Sequence, residues 1–454
     1  MNSSKTSNYI YWVTFVAING GFLFGLNMAG ISGAISFLKE QFALSDLSLG
    51  FTVSSIMLGC LIGSWFAGGF SDKYGRKKAL IVAAILFIVS ALGCALSQST
   101  IVFITSRIIS GLAVGAVSVL CPTYISEIAP ADKRGTLVSM QQFAIVTGIL
   151  LAYVFDYFLL DFNYQWRLMM GIPAVFGLFF LTFLLSSFPE SPRWLFNNNK
   201  EEKAKKILSN IFGSDYAESE LKSMKDSTNQ NETNSAKLSD LFNGRIFKVL
   251  VIGTFLAIFS QITGINAVIN YAPTIFQKIG FGGGSALIQS IFIGIICLAS
   301  TFIAIWLIDL KGRKVLLLFG SVGMTLGLAY LTYSFMFPNN KSLGILISIL
   351  GYVAFYSASM APVMWVVNSE LFPNLYRGIA MSFATAVSWI FTILTVQFFP
   401  YMLNQLGGHL TFGFFGAFSL LSLLFVLKYI PETKGKSLEE IEKEMLSDKV
   451  SSNN

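Results

Sequence analysis

Charge is what this 454-residue chain has least of: 12% of it is Asp, Glu, Lys or Arg, against 54% hydrophobic residues. A soluble domain carries about 25% charge, so an ordinary water-facing fold is excluded. His409 is the only histidine. It falls at an expected outer loop, too isolated for a metal site or a catalytic triad. The four cysteines, Cys60, Cys94, Cys121 and Cys297, all lie inside apolar runs, where a thiol behaves as a small hydrophobe, so neither a disulfide framework nor a zinc site is expected. No GxxxxGK[ST] string and no nucleotide-sized soluble domain occur, which excludes a built-in ATP motor. No cofactor and no enzymatic centre are expected. The net charge of +7 is not gathered into a basic domain with interleaved aromatics, so nucleic acid is excluded as a partner.

What is present is apolar length. In lipid only helices or a closed barrel satisfy their own backbone, and unbroken runs of about 20 residues select helices. Twelve spans are predicted, near 9–37, 49–70, 79–96, 101–125, 137–158, 168–188, 249–279, 287–308, 315–337, 343–367, 379–403 and 410–430. The first is too long for a signal h-region and lacks an A-x-A site, so it counts as a span. Apart from Arg107, every Lys and Arg except Lys39, Arg167, Lys278 and Lys341 falls on the side of the two termini. Cytoplasmic loops retain such residues, which places both termini in the cytoplasm of a multi-pass protein of the cell membrane.

The chain repeats itself. Asp72-Lys73-Tyr74-Gly75-Arg76-Lys77 returns 237 residues later as Asp309-Leu310-Lys311-Gly312-Arg313-Lys314. Glu127-Ile128-Ala129-Pro130 through Arg134-Gly135 returns as Glu370-Leu371-Phe372-Pro373 through Arg377-Gly378, and Pro189-Glu190-Ser191 as Pro431-Glu432-Thr433. Three pairs in matching places describe parallel six-span repeats. The expected organisation is an N-terminal bundle (1–190), a cytoplasmic linker with surface helices (191–245), a C-terminal bundle (246–430) and a cytoplasmic tail (431–454). The sequon at Asn231 lies in that linker, away from the glycosylation machinery, and reads as chance.

These motifs collect Asp72, Glu127, Glu190, Asp309, Glu370 and Glu432 against Arg76, Arg134, Arg193, Arg313 and Arg377 at the cytoplasmic helix ends. Arginine holds a carboxylate bidentately, and pairs shielded by helix ends escape part of the solvent screening. They read as a latch that closes the inner face. The plainer alternative is that they only fix topology and end helices, but topology needs no carboxylates.

With the motifs Asp72–Lys78, Arg134-Gly135, Pro189-Glu190-Ser191-Pro192-Arg193-Trp194, Gln261-Ile262-Thr263-Gly264-Ile265-Asn266, Asp309–Lys314 and Pro431-Glu432-Thr433-Lys434-Gly435, nearly the whole chain resembles the sugar porters of the major facilitator superfamily. The resemblance implies an all-α membrane protein of twelve helices in two pseudosymmetric bundles that rock about a central sugar site, with surface helices in the middle loop. Matched to its motifs, the sugar ligands would be Gln142, Gln261 and Asn266 and the aromatic wall Trp365 and Trp389, with Asn270 and Ser388 beside them. A sugar needs such amides against an aromatic face. Gln141 reads instead as interhelical glue. The chain departs from the family at Ser260, Asn270, Cys297, Ser357 and Ser388, all toward shorter or poorer donors.

Arg107 is the one formal charge deep in a span, and an intramembrane ion is a functional hypothesis by default. In proton-coupled sugar porters an aspartate of the first span pairs with this arginine. Here that position is Asn27, and an amide carries no proton. Facilitated diffusion of a hexose or pentose by a monomer is therefore expected. Proton symport through Asp156 or another acid, transport of a polyol or sugar acid, and a non-transporting sensor remain as alternatives.

Overall fold

A computed structural model describes residues 8–130, 133–186, 188–230, 238–242, 244–337, 342–373, 375–436 and 438–446. The sequon at Asn231, residues Ala131 and Asp132 of the first E-x-x-P motif, Lys341, and the end of the tail lie outside the described residues, as do the side chains of Arg134 and Asp309. No strand occurs among the described residues.

The first half runs α1 (Asn8–Ala29), α2 (Ile35–Gln41), α3 (Asp46–Tyr74), α4 (Arg76–Ala95), α5 (Thr100–Ile128), α6 (Arg134–Leu159) and α7 (Gln165–Ser186). Three short helices follow, α8 (Pro192–Asn197), α9 (Glu201–Phe212) and α10 (Ser214–Gln230). The second half runs α11 (Gly244–Ile262), α12 (Ile265–Asn270), α13 (Ala272–Lys278), α14 (Gly283–Lys311), α15 (Arg313–Met336), α16 (Ser342–Ser357), α17 (Met360–Leu371), α18 (Arg377–Tyr401) and α19 (Gly407–Tyr429), and α20 (Leu438–Leu446) closes the described chain.

Among the described residues, eleven helical segments are long and apolar enough to cross a membrane. The last of them, Arg377–Tyr429, has 53 residues. At 1.5 Å per residue it is more than twice the roughly 30 Å of a bilayer's hydrocarbon, so it holds two crossings, parted by the π-helical turn Met402–Leu406. The total among the described residues is twelve crossings, the number expected from the sequence. The outward faces are apolar: Phe66, Phe302 and Trp306 are 67–68% exposed, while Ser54, Thr52, Thr301 and Ser321 are buried. Such a surface is stable only against lipid, and the protein is an integral multi-pass membrane protein.

Three expected spans are interrupted. The first ends at Ala29, and a turn leads into α2, so Phe37 sits on a separate short helix. The seventh breaks at Gly264, whose φ of +90° is left-handed and whose hydrogen faces the Phe415 ring, so no side chain fits there. The tenth breaks at Ser359, whose hydroxyl bonds back to the Phe355 carbonyl at 2.6 Å. Broken backbone at membrane depth is tolerated where protein or a polar cavity meets the freed groups.

The chain gathers into two compact units. One comprises residues 1–28, 59–148 and 170–234. In it α3 and α5 meet through Gly59, Gly63 and Gly115, each close to the facing backbone, the small-residue spacing that lets membrane helices touch. The short helices belong to this unit. Leu195, Ala204, Leu208, Ala217, Leu221 and Met224 bury one face against Trp194, and the remaining face is charged, as an amphipathic surface helix requires.

The other unit comprises residues 29–58, 149–169 and 235–454. It therefore takes in the segments of α2, α3, α6 and α7 remote from the charged loops. These pack with the second half: Ser54 donates to the Gln397 side chain at 2.9 Å, Gln397 to the Leu47 carbonyl at 2.9 Å, Asn404 to Asp46 at 2.7 Å, and Tyr153 to the Ile269 carbonyl at 2.7 Å.

Candidate functional site

The charged loops build the same device twice. In the first unit Gly75, at φ +102°, turns the chain so that α4 opens at Arg76. The Glu190 carboxylate accepts the Lys77 and Ser191 N–H groups at 3.1 and 2.9 Å, meeting orphan donors at a helix N-terminus where negative charge is favoured. Arg76 holds Glu127 through Nε and Nη2 at 2.9–3.2 Å and Asp72 through Nη1 at 2.7 Å. The Trp194 indole donates to the Asp72 carbonyl at 2.7 Å.

In the other unit Gly312, at φ +94°, opens α15 at Arg313. Glu432 accepts from the N–H groups of Arg313, Lys314, Thr433 and Lys434 at 2.9–3.1 Å. Arg313 pairs with Glu370 at 3.1 Å, and the Thr433 hydroxyl donates to Glu370. Each described pair thus joins residues of one repeat. Arg193 is exposed, and Arg377 donates to the Phe372 carbonyl at 3.3 Å.

Burial alone would raise the Glu432 carboxyl, but the four backbone donors outweigh it and hold the group below the ordinary carboxylate range. A depressed carboxylate contributes stability that is present above its ordinary value and lost as pH falls through the lowered one. Glu432→Gln is expected to melt roughly 2–4 °C lower at neutral pH, with the deficit closing as the pH drops below about 4. Thermal melts of both proteins across that range check it, and a deficit that does not change with pH contradicts the capping account.

The amides of the broken seventh span form one network. Gln261, at the end of α11, accepts at Oε1 from Asn266 Nδ2 at 2.8 Å and from the Thr392 hydroxyl at 3.1 Å, and donates to Ser260 Oγ at 3.0 Å. The break at Gly264 brings Asn266 back toward Gln261. Asn270 is fully buried and donates to the Asn266 carbonyl at 2.8 Å, while its own Oδ1 has no protein donor among the described residues. Ser388 is buried one turn before Thr392 and gives it a carbonyl. Trp365 and Trp389 are half-buried. Thr392 was not among the residues singled out from sequence, although its place four residues after Ser388 sets both on one helix face.

In the first unit Gln142 is half-buried. Gln141 is 5% exposed and packs against Gly21, and neither its Oε1 nor its Nε2 has a protein partner among the described residues. The expected glue bond is not made there.

Asn27 turns its amide away from Arg107. Its Oδ1 accepts from Ser110 at 2.8 Å and its Nδ2 donates to the Leu23 carbonyl at 2.8 Å, whereas Arg107 Nη1 reaches only the Asn27 backbone carbonyl, at 2.9 Å. Asp156, 1% exposed, accepts from the Gly33 N–H at 2.9 Å and from Ser32 at 3.2 Å.

Against known proteins, the profile of the family described as "Sugar (and other) transporter" matches residues 13–445. The arabinose-proton symporter of Bacillus subtilis (strain 168) is 39% identical over 450 residues, covering 97% of this chain and 96% of its own. The glucose transporter GlcP of Staphylococcus epidermidis is 36% identical over 447 residues, covering 97% and 98%. The inward open structure of the xylose transporter XylE from E. coli superposes with a TM-score of 0.85 at 36% identity, covering 96% of this chain and all of that one. Members of this group are transporters and not enzymes, and the repeated charged loops, the broken seventh span and these matches together show that the chain belongs to the sugar porter family of the major facilitator superfamily.

Proposed function

We propose that this chain carries a monosaccharide, hexose or pentose, across the cytoplasmic membrane by facilitated diffusion, with both termini in the cytoplasm. The single observation that carries the uncoupled reading is the surroundings of Arg107: Asn27 stands beside it with its amide bonded to Ser110 and Leu23, and no carboxylate pairs with Arg107 among the described residues. A proton cannot be taken up there. The sugar is held through the Gln261–Asn266–Thr392 network, with Asn270, Ser388, Trp365 and Trp389 around it. Gln142 is proposed as a further ligand. The two charged clusters, Asp72, Arg76, Glu127, Arg134, Glu190 and Arg193 in one repeat and Asp309, Arg313, Glu370, Arg377 and Glu432 in the other, serve as the cytoplasmic gate.

One observation favours a second reading, proton symport: Asp156 is a buried acid bonded only to Ser32 and Gly33 among the described residues, and the B. subtilis relative is named as a proton symporter. Uptake of labelled D-xylose, L-arabinose and D-glucose into proteoliposomes, with and without an inward proton gradient, separates the two. Equilibration without accumulation is expected for at least one sugar. Accumulation that a protonophore stops would establish symport, and no uptake of any of the three would refute the monosaccharide.

A further inference from the structure

The guanidinium of Arg107 carries a permanent charge and five N–H donors. The residue is 2% exposed. One donor nitrogen, Nη1, is met by the Asn27 carbonyl, while Nε and Nη2 have no protein acceptor among the described residues. A small cavity lies against it, lined by Leu26, Asn27, Ser90, Cys94, Ser110 and Met170. No lining side chain is acidic, and the Asn27 amide is already committed to Ser110 and Leu23. A buried ion without a counter-charge is expensive, and a hydrogen-bonded water meets the donors but leaves the charge.

We propose that Arg107 binds one small monovalent anion, of which chloride is the abundant example, as an exchangeable counter-ion where Asn27 supplies none. The charge argues for a monovalent species, since replacing the Asn27 amide by a carboxylate would add a single negative charge. Size argues for a monatomic one. The cavity is about 10 Å³, close to one water-sized sphere. Chloride needs about twice that volume, and Met170, an adaptable side chain, forms the part of the wall that would yield to it. Sulfate, gluconate and sugar acids exceed that space. The site lies wholly within the first unit and is independent of which sugar is carried.

Thermal melting of the purified protein in sodium chloride, bromide, sulfate and gluconate at equal ionic strength tests this. The chloride and bromide samples are expected to melt about 2–4 °C above the other two. Asn27→Asp, which supplies the counter-charge from the chain, should abolish the difference, and Arg107→Gln should abolish it too. Should Arg107→Gln fail to fold, broadening of the chloride NMR line by the native protein, absent with Asn27→Asp, reads the same site. Equal melting in all four salts overturns the proposal, and so does an increment that survives in Asn27→Asp. Because melting reads the anion and not the cargo, either result stands apart from the sugar uptake assay.

Discussion

Gly50→Leu is expected to abolish sugar exchange, by roughly 100-fold or more, while the protein still inserts and binds sugar. Gly50 lies just inside α3, where a β-carbon would fall on the backbone oxygen of Gln397 in α18. Backbone cannot step aside as a flexible side chain does. Around that contact, Gln397 exchanges hydrogen bonds with Ser54 and Leu47, Asn404 holds Asp46, and Tyr153 holds Ile269. All of these tie the first repeat's remote segments to the second repeat, so a leucine would wedge apart the end that the structure shows packed. A carrier that must close this end once per cycle would be trapped with it open. Counterflow in vesicles at matched insertion reads the result, and sugar-dependent tryptophan quenching controls for folding. Counterflow at the native rate would show that this packing is not part of the cycle.

The duplicated charged loops were legible because their spacing is local: a glycine, an arginine and a capping acid recur within short strings, and the fold uses Gly75 with Glu190 and Gly312 with Glu432 in the same way. The choice of partner was not legible. Asp72, Glu127 and Glu190 are equally acidic in sequence, and only the folded chain shows that Arg76 grips Glu127, 51 residues away, while Glu190 spends its charge on backbone N–H groups. The helix breaks were not legible either: the left-handed turn of Gly264 against the Phe415 ring shows only in the folded chain, and Ser359 breaks the tenth span with nothing in the local string to mark it. Thr392 and Ser110 escaped notice because a hydroxyl in a membrane helix ordinarily bonds its own turn. Their roles depend on Gln261 and Asn27, which lie 131 and 83 residues away.

Gln261→Ala is expected to raise the half-saturation constant for sugar about 10- to 100-fold with little change in maximal rate. Gln261 is 8% exposed, and its carboxamide organises three neighbours, accepting from Asn266 and Thr392 and donating to Ser260. Truncation removes the amide, strips Asn266 of its acceptor and leaves Thr392 the Ser388 carbonyl alone. A neutral hydrogen bond contributes about 0.5–1.5 kcal/mol net, and leaving a buried donor unmet costs about 1–3 kcal/mol, so a combined loss of one to two decades follows. If the lost interactions bind the ground state and the transition state of translocation alike, the half-saturation rises and the maximal rate holds. Thr392→Val makes the argument specific. It removes one donor to Gln261 and no amide, so its increase should be about 3- to 5-fold, the scale of a single bond. Uptake kinetics normalised to protein in the membrane give both constants. A native half-saturation in Gln261→Ala would remove this network from the sugar site. An equal shift in the two variants would mean that the Thr392–Gln261 bond, and not the amide's own reach to the sugar, sets affinity.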